Sequence, residues 1–340
     1  MKKTLVAVAA LAAIAGAHAE ATIYGVFDQA YTTTRASDNT GVPTSSTNGL
    51  ASPWTGSGVV LGVKAGEDLG DGLKLSGVVE FGFNINDTTS TSTPYTRQSF
   101  VALSGAFGHL RAGRQYSAAF NNQASVDPGG ATLYGTLYQA TVVDGTGLVE
   151  SPLRQSNSIQ YDLPNFVPGL NVGVNIVRAG TNSLTGFATG DGTGYNVNYS
   201  NGGLYVGYTS DTATDLGAAL GLISASTTDQ RKLTTASASY DFGVAKIAYN
   251  NSAAAVGSEK LDTSMFAVSA PIGAATVYVS TSTGTLTLSG GSNSLKGTEY
   301  GVNYALSKRT TVYGRMGNFT TDNATVGSTK STALGIQHTF

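Results

Sequence analysis

Five cations, Arg97, Arg111, Arg154, Lys64 and Arg114, lie on segments before and after one long stretch, 116–153. That stretch carries Asp127, Asp144 and Glu150 and neither lysine nor arginine. Cations facing carboxylates across a gap make a field, and rings of charged side chains are how aqueous pathways discriminate between ions. The residue types needed for bond-making are missing. After residue 19 the only histidines are His109, near a turn, and His338, on an apparently outward face; neither is placed to serve a serine as a base. No H-E-x-x-H, G-x-S-x-G, P-loop or metal-ligand spacing occurs, and clusters such as Gly190, Gly192 and Gly194 read as loop. The expectation is a chain that is not an enzyme, with no cofactor and no metal.

The elements that must position these charges alternate. Ile23, Gly25 and Phe27 oppose Tyr24, Val26 and Asp28; Leu170, Val172, Val174 and Ile176 oppose Asn171, Gly173 and Asn175. The same period of two runs through 59–64, 73–83, 195–199, 299–306 and 334–340, the mark of strands with unlike faces. Tight Gly-, Pro-, Asn- or Asp-bearing turns alternate with longer polar links at 36–56, 86–94, 116–153, 179–192, 211–230, 252–259, 283–295 and 321–329. Short turn and long loop in regular succession describe an all-β, up-and-down transmembrane barrel of about sixteen antiparallel strands. The third long link, with Tyr134, Leu137, Tyr138, Val142 and Val143 to pack, is expected to fold into the barrel and narrow it. A repeat solenoid is disfavoured by the uneven loops and absent fixed period. A pair of β-sandwiches fits less well, since aromatic residues such as Tyr161, Phe166, Tyr240 and Tyr304 gather at strand ends, as at a membrane interface.

Composition agrees. Only 12% of residues are charged, with 44 Gly, 17 Tyr and no Cys, so no disulfide can contribute to stability. Lys2 and Lys3, the apolar run from Leu5 to Ala15 and Ala17-His18-Ala19 read as a secretory signal, 1–19, cleaved to leave a barrel of 20–340. Without Lys2 and Lys3, 17 basic residues stand against 21 acidic ones, and no basic run suggests nucleic acid. Aligned on their apolar faces, the strands also turn Asp28, Lys74, Glu80, Lys246, Glu299 and Arg315 inward. Arg114 points outward by strict alternation unless a bulge intervenes.

With Ala21-Thr22-Ile23-Tyr24-Gly25-Val26-Phe27-Asp28, Glu67-Asp68-Leu69-Gly70, Phe100 to Gly105 running into Gly113-Arg114-Gln115, Arg154 to Tyr161, and the terminal Phe340, the chain resembles Gram-negative trimeric general outer-membrane porins of the β-proteobacterial type. The resemblance implies a sixteen-stranded barrel with an inward-folded third external loop. It also implies a homotrimer, outer-membrane lipid and lipopolysaccharide as surroundings, and a final strand whose Phe340 is read by the barrel-assembly machinery. Departures are Val60, where the family often has arginine, Arg111 at a position usually small and polar, and Asp127-Pro128-Gly129-Gly130, only loosely like the acidic Gly-Gly motif of enterobacterial loops. The expected function is passive passage of small hydrophilic solutes and ions with mild anion preference. The alternatives are a substrate-specific channel using Tyr24, Tyr205 and Tyr313, and a plugged barrel serving as adhesin or receptor.

Overall fold

The computed structural model describes residues 20–52, 58–83, 94–130, 154–178, 180–181, 188–215, 230–322 and 327–340. Eighteen hydrogen-bonded segments form one antiparallel sheet, and its ends, β1 (Glu20–Ser37) and β18 (Ser328–Thr339), pair with each other. β2 (Pro43–Ala51) and β3 (Val59–Gly70) pair with successive parts of β1, so they are one wall strand with a break. β8 (Leu170–Val177) and β9 (Gly180–Thr181) stand in the same relation to β10 (Ala188–Asn201). Counting each broken strand once, the wall has sixteen strands and is closed. Closure leaves no edge, which is what a sheet needs to satisfy its backbone inside hydrocarbon.

The usual inside-out order is reversed, as alternation around water requires. Val101, Val174, Tyr300, Met316 and Leu334 stand exposed on the outside, while Ser158, Thr209, Asn250 and Ser252 are buried on the inner face. The last residue completes the seam. Phe340 N donates to Gly25 O and Gly25 N to Phe340 O, both at 3.1 Å, and its ring packs on Phe27 with centroids 5.4 Å apart. Gly25 is required there, because an added Cβ would lie 2.4 Å from Phe340 Cζ.

Two expected long loops are absent. β13 (Lys246–Val256) passes to β14 (Glu259–Ile272) through Gly257 and Ser258, and β15 (Ala275–Leu288) to β16 (Gly291–Ala305) through Ser289 and Gly290. Much of 36–56 is likewise strand, in β1 and β2. Above the lipid both faces of a hairpin meet water, so its alternation fades while the backbone ladder continues.

Candidate functional site

β6 (Gly108–Tyr116) delivers the chain into the barrel. Ser117 Oγ accepts from Phe120 N at 3.1 Å and caps α1 (Ala118–Ala124), a helix of seven residues. A helix so short needs tertiary support. The inner faces of β11 (Leu204–Asp215), β12 (Gln230–Asp241) and β13 supply it. Asn122 Nδ2 donates to Thr235 Oγ1 at 2.7 Å, and Asn122 Oδ1 accepts from Tyr205 at 2.9 Å. Gln123 Nε2 donates to Ser252 Oγ at 2.8 Å, and Lys246 Nζ to Ser125 O at 3.3 Å. Val126 packs with Ala248, Met265 and Ala267. Farther on, Arg315 Nη1, on β17 (Thr310–Thr321), donates to Gly129 O at 2.8 Å. Residues 117–130 therefore run inside the barrel from β6, past β11–β13, to β16 and β17. Asp144 and Glu150, on the remainder of this stretch, lie outside the described residues.

The cations of the facing wall are connected through two tyrosines. Lys64 Nζ, on β3, sits 4.6 Å from the Tyr24 ring centroid. Tyr24 donates to Glu80 Oε2 at 3.0 Å, and Glu80 Oε1 accepts from Arg97 Nε at 2.7 Å. Arg97 and Arg154 both donate to Tyr116 Oη, at 2.7 and 3.3 Å, and Arg154 also lies over the Tyr116 ring at 4.9 Å. Tyr116 stacks on Phe120 of α1 with centroids 5.0 Å apart. The arc from β3 to β7 (Arg154–Asp162) thus carries three cations and one carboxylate along the entrance to the inward segment. Arg97 joins through a bulge: the register between β4 (Leu73–Phe83) and β5 (Tyr95–Gly105) slips between Glu80 and Phe81, which lets Arg97 and Gln98 both reach Glu80.

Two expected members of this cluster stand apart. Arg111 faces inward but is paired with Asp162, Nη2 to Oδ2 at 2.8 Å, three residues above the turn at Gly108. It is opposite Ala102, about 16 Å along the wall from the level of Arg97 at the usual rise per residue. Arg114 shares its register with exposed Ser99, next to the outward pair Val101 and Ala112. Its guanidinium donates to Thr96 O at 2.9 Å and Ser156 Oγ at 2.6 Å, within the wall.

On the adjoining arc, from β16 through β1, the charge is reversed. Glu299 accepts from Tyr278 Oη at 2.6 Å and lies 4.0 Å from Arg315, with both charged side chains fully buried. Asp127 belongs to the same group: the Cβ that Gly129 lacks would fall 3.0 Å from Glu299 Oε1 and 3.2 Å from Asp127 Oδ1. Asp28, on β1, accepts from Tyr313 Oη at 2.6 Å. Three carboxylates and one arginine make up this arc. Lys74 is exposed, opposite Asp68 beside the Gly70–Leu73 turn.

A sequence-family profile for Gram-negative porins matches residues 7–324. The chain belongs to the Gram-negative porin family. It is 32% identical to outer membrane porin protein 32 of Delftia acidovorans over 256 residues, 73% of this chain and 68% of that protein. It is 30% identical to the major outer membrane protein P.IB of Neisseria meningitidis serogroup A over 213 residues, 61% of this chain and 58% of the relative. Its fold is similar to that of the anion-selective porin from Comamonas acidovorans, with a TM-score of 0.79 and 25% identity, covering 95% of this chain and 100% of the other. This porin is accordingly a protein of the outer membrane.

Several residues that build the porin's site escaped the sequence reading. Tyr116, the bridge between two arginines, sits at the strand–loop junction, where alternation stops being informative. Asp162 ends β7, and Asn122 and Gln123 are neutral residues in a segment read for its charges. Asp211 and Arg231, from β11 and β12, line a small cavity with Ser117 and Gln155. The inward tyrosines are held against the wall. Tyr24 lies across Gly62, where a Cβ would come within 2.2 Å of the ring, and Tyr313 lies across Gly335 and is 1% exposed. A tyrosine so covered cannot stack on a passing sugar, which removes Tyr313 from the expected sliding track.

Proposed function

We propose that this porin carries small hydrophilic solutes and ions passively through a water-filled lumen narrowed by residues 117–130, with mild anion preference. The observation that carries the reading is the separation of charge around the lumen wall. Lys64, Arg97 and Arg154 against Glu80 leave the β3–β7 arc positive, and Asp127, Glu299 and Asp28 against Arg315 leave the adjoining arc from β16 through β1 negative. A field across a water-filled gap bounded by low-dielectric walls orients dipolar solutes and disfavours apolar ones. The solvent-facing cations tip the balance toward anions, because Glu299 and Asp28 are buried behind their tyrosines while Lys64 is exposed. The likeness to an anion-selective porin supports the same sign. Arg111 adds little, being neutralised by Asp162, and Arg114 lies outside the lumen's charge set. Asp144 and Glu150 would strengthen the acidic side.

The family resemblance further supports a homotrimer in outer-membrane lipid and lipopolysaccharide, assembled by machinery that reads the final strand and Phe340. The test is a planar bilayer with a potassium chloride gradient. Ohmic steps in triplets and a reversal potential of the sign for modest chloride preference are expected. Strong cation selectivity would overturn the proposed sign, and silence would favour a plugged barrel.

A further inference from the structure

The periplasmic mouth of the lumen carries ionisable groups that the constriction does not use. One inner-face register row joins Asp68, Lys74, Ser104, His109, Asp162 and Gly173, from β3 to β8. The row lies beside the short turn between β5 and β6, and such barrels keep their short turns on the periplasmic side. His109 is two residues below Arg111, so it stands about 23 Å along the wall from the level of Arg97.

Two cationic groups converge on one oxygen. Asp162 Oδ2 accepts from Arg111 Nη2 at 2.8 Å and lies 3.8 Å from His109 Nδ1. Gly173 gives this carboxylate its room, since a Cβ there would fall 2.5 Å from Asp162 Oδ1. The His109 side chain is 40% exposed, so the ring meets the water of the lumen. The charges around it cancel. β7 presents Asp162 to the ring, and β6 itself presents Arg111. β5 presents neutral Ser104, beyond which Lys74 of β4 and Asp68 of β3 are direct cross-strand partners. Two cations thus stand against two carboxylates. With the imidazole neutral the set is balanced, and with the imidazole protonated it carries one positive charge. Of these side chains only histidine ordinarily changes charge between about pH 5 and 8.

We propose that His109 is a further residue setting ion preference: protonated, it shares Asp162 with Arg111, makes the periplasmic mouth cationic and strengthens the preference for anions. The inference rests on the open lumen proposed above and adds a second determinant on one side of the constriction. At about 0.1 M salt the constriction lies about two Debye lengths away, so the effect belongs to the mouth.

The test uses the full-length porin in planar bilayers under a potassium chloride gradient near 0.1 M. Each chamber is acidified in turn from about pH 8 to about pH 5.5, which spans the imidazole range. A unit charge about 10 Å from an ion in water changes its local concentration about twofold, in opposite senses for chloride and potassium. Screening over one Debye length leaves about a 1.7-fold change in the permeability ratio. In the wild type the chloride-to-potassium ratio should rise by that factor when the periplasmic chamber is acidified and stay level when the other is. H109Q should stay level on both sides. H109K should hold the raised ratio at both pH values, and D162N should raise it already at neutral pH by unmasking Arg111. H338Q, which alters the other histidine beyond residue 19, should keep the wild-type rise. A level response in the wild type overturns the proposal, as does a wild-type rise in conducting H109Q or an equal response from both chambers. Cation preference at neutral pH with the rise intact would fail the sign proposed for the lumen and support this inference. Anion preference at neutral pH with no rise would fail this inference alone.

Discussion

Replacing Arg315 with methionine tests what holds the inward segment in place. The guanidinium donates to Gly129 O at 2.8 Å and stands 4.0 Å from Glu299, and neither charged side chain has any solvent exposure. Methionine keeps much of the volume but removes the hydrogen bond to the loop and the compensating charge. Breaking a buried pair from one side costs about 3–5 kcal/mol, mostly because the remaining charge stays buried. Glu299 can avoid that cost only by taking up a proton or by gaining water as the Asp127–Gly130 tip lifts. If the cost falls on docking of the tip, its equilibrium shifts by roughly 10²–10⁴-fold. The assay is single-channel recording of R315M, E299Q and the double variant. R315M should show larger and noisier conductance. R315M/E299Q, with the buried charge gone, should return much of the way to wild-type behaviour. Strictly additive effects, or a quiet wild-type conductance in R315M, would refute the view that this pair anchors the loop.

Neutralising Arg97 or Arg154 should each lower the chloride-to-potassium permeability ratio by up to about tenfold, since a unit charge about 6 Å from an ion in water is worth roughly 0.7 kcal/mol, favourable to chloride and unfavourable to potassium. R114Q should leave the ratio unchanged, and a shift as large as that of R97Q would contradict the outward register of Arg114. G62A should drive the Tyr24 ring off the wall into the lumen and lower conductance, because the new Cβ would lie 2.2 Å from Tyr24 Cζ; adding Y24A should restore it. In the turn between β1 and β2, Asp38 accepts from the Thr40 hydroxyl at 2.8 Å and from the Thr40 and Val42 amides at 2.9 Å each, which hold its carboxyl below the usual range. With a lowered folded-state value, the turn's stabilisation is present at neutral pH and lost as pH falls through that value. The protection of the Thr40 and Val42 amides, taken relative to their intrinsic exchange at each pH, should fall in acid, and D38N should remove that dependence.

The wall was legible because lipid and water impose a rule on every residue of a membrane strand. Ile23, Phe27 and Tyr31 face outward and Tyr24, Asp28 and Ala30 inward, as alternation requires. The rule fails where the ladder slips. At Arg97 the bulge resets the parity, and no local residue type announces it. At Arg114 strict alternation gives the right face, and the β6–β7 register slips only beyond Gly113. The hairpins joining β13 to β14 and β15 to β16 read as loops because their threonines and serines meet water on both sides. The helix α1 is too short to show a helical period and owes its place to partners on strands more than eighty residues away. Asp28, Glu80 and Glu299 were assigned inward from pattern alone. Their tyrosine and arginine partners depend on which strands become neighbours, and that is fixed by closure of the barrel.

The central claim is that residues 117–130 border the permeation path. Asn121 and Ser125 lie on the exposed face of this segment, away from wall-facing Ala119 and Asn122, and the chain has no cysteine to interfere. The direct measurement is single-channel recording of N121C while cationic and then anionic methanethiosulfonate reagents are added. Each open channel should lose conductance in one step on labelling, with ion preference moving toward anions for the cationic reagent and toward cations for the anionic one. Complete labelling with neither conductance nor preference altered would place the segment outside the path.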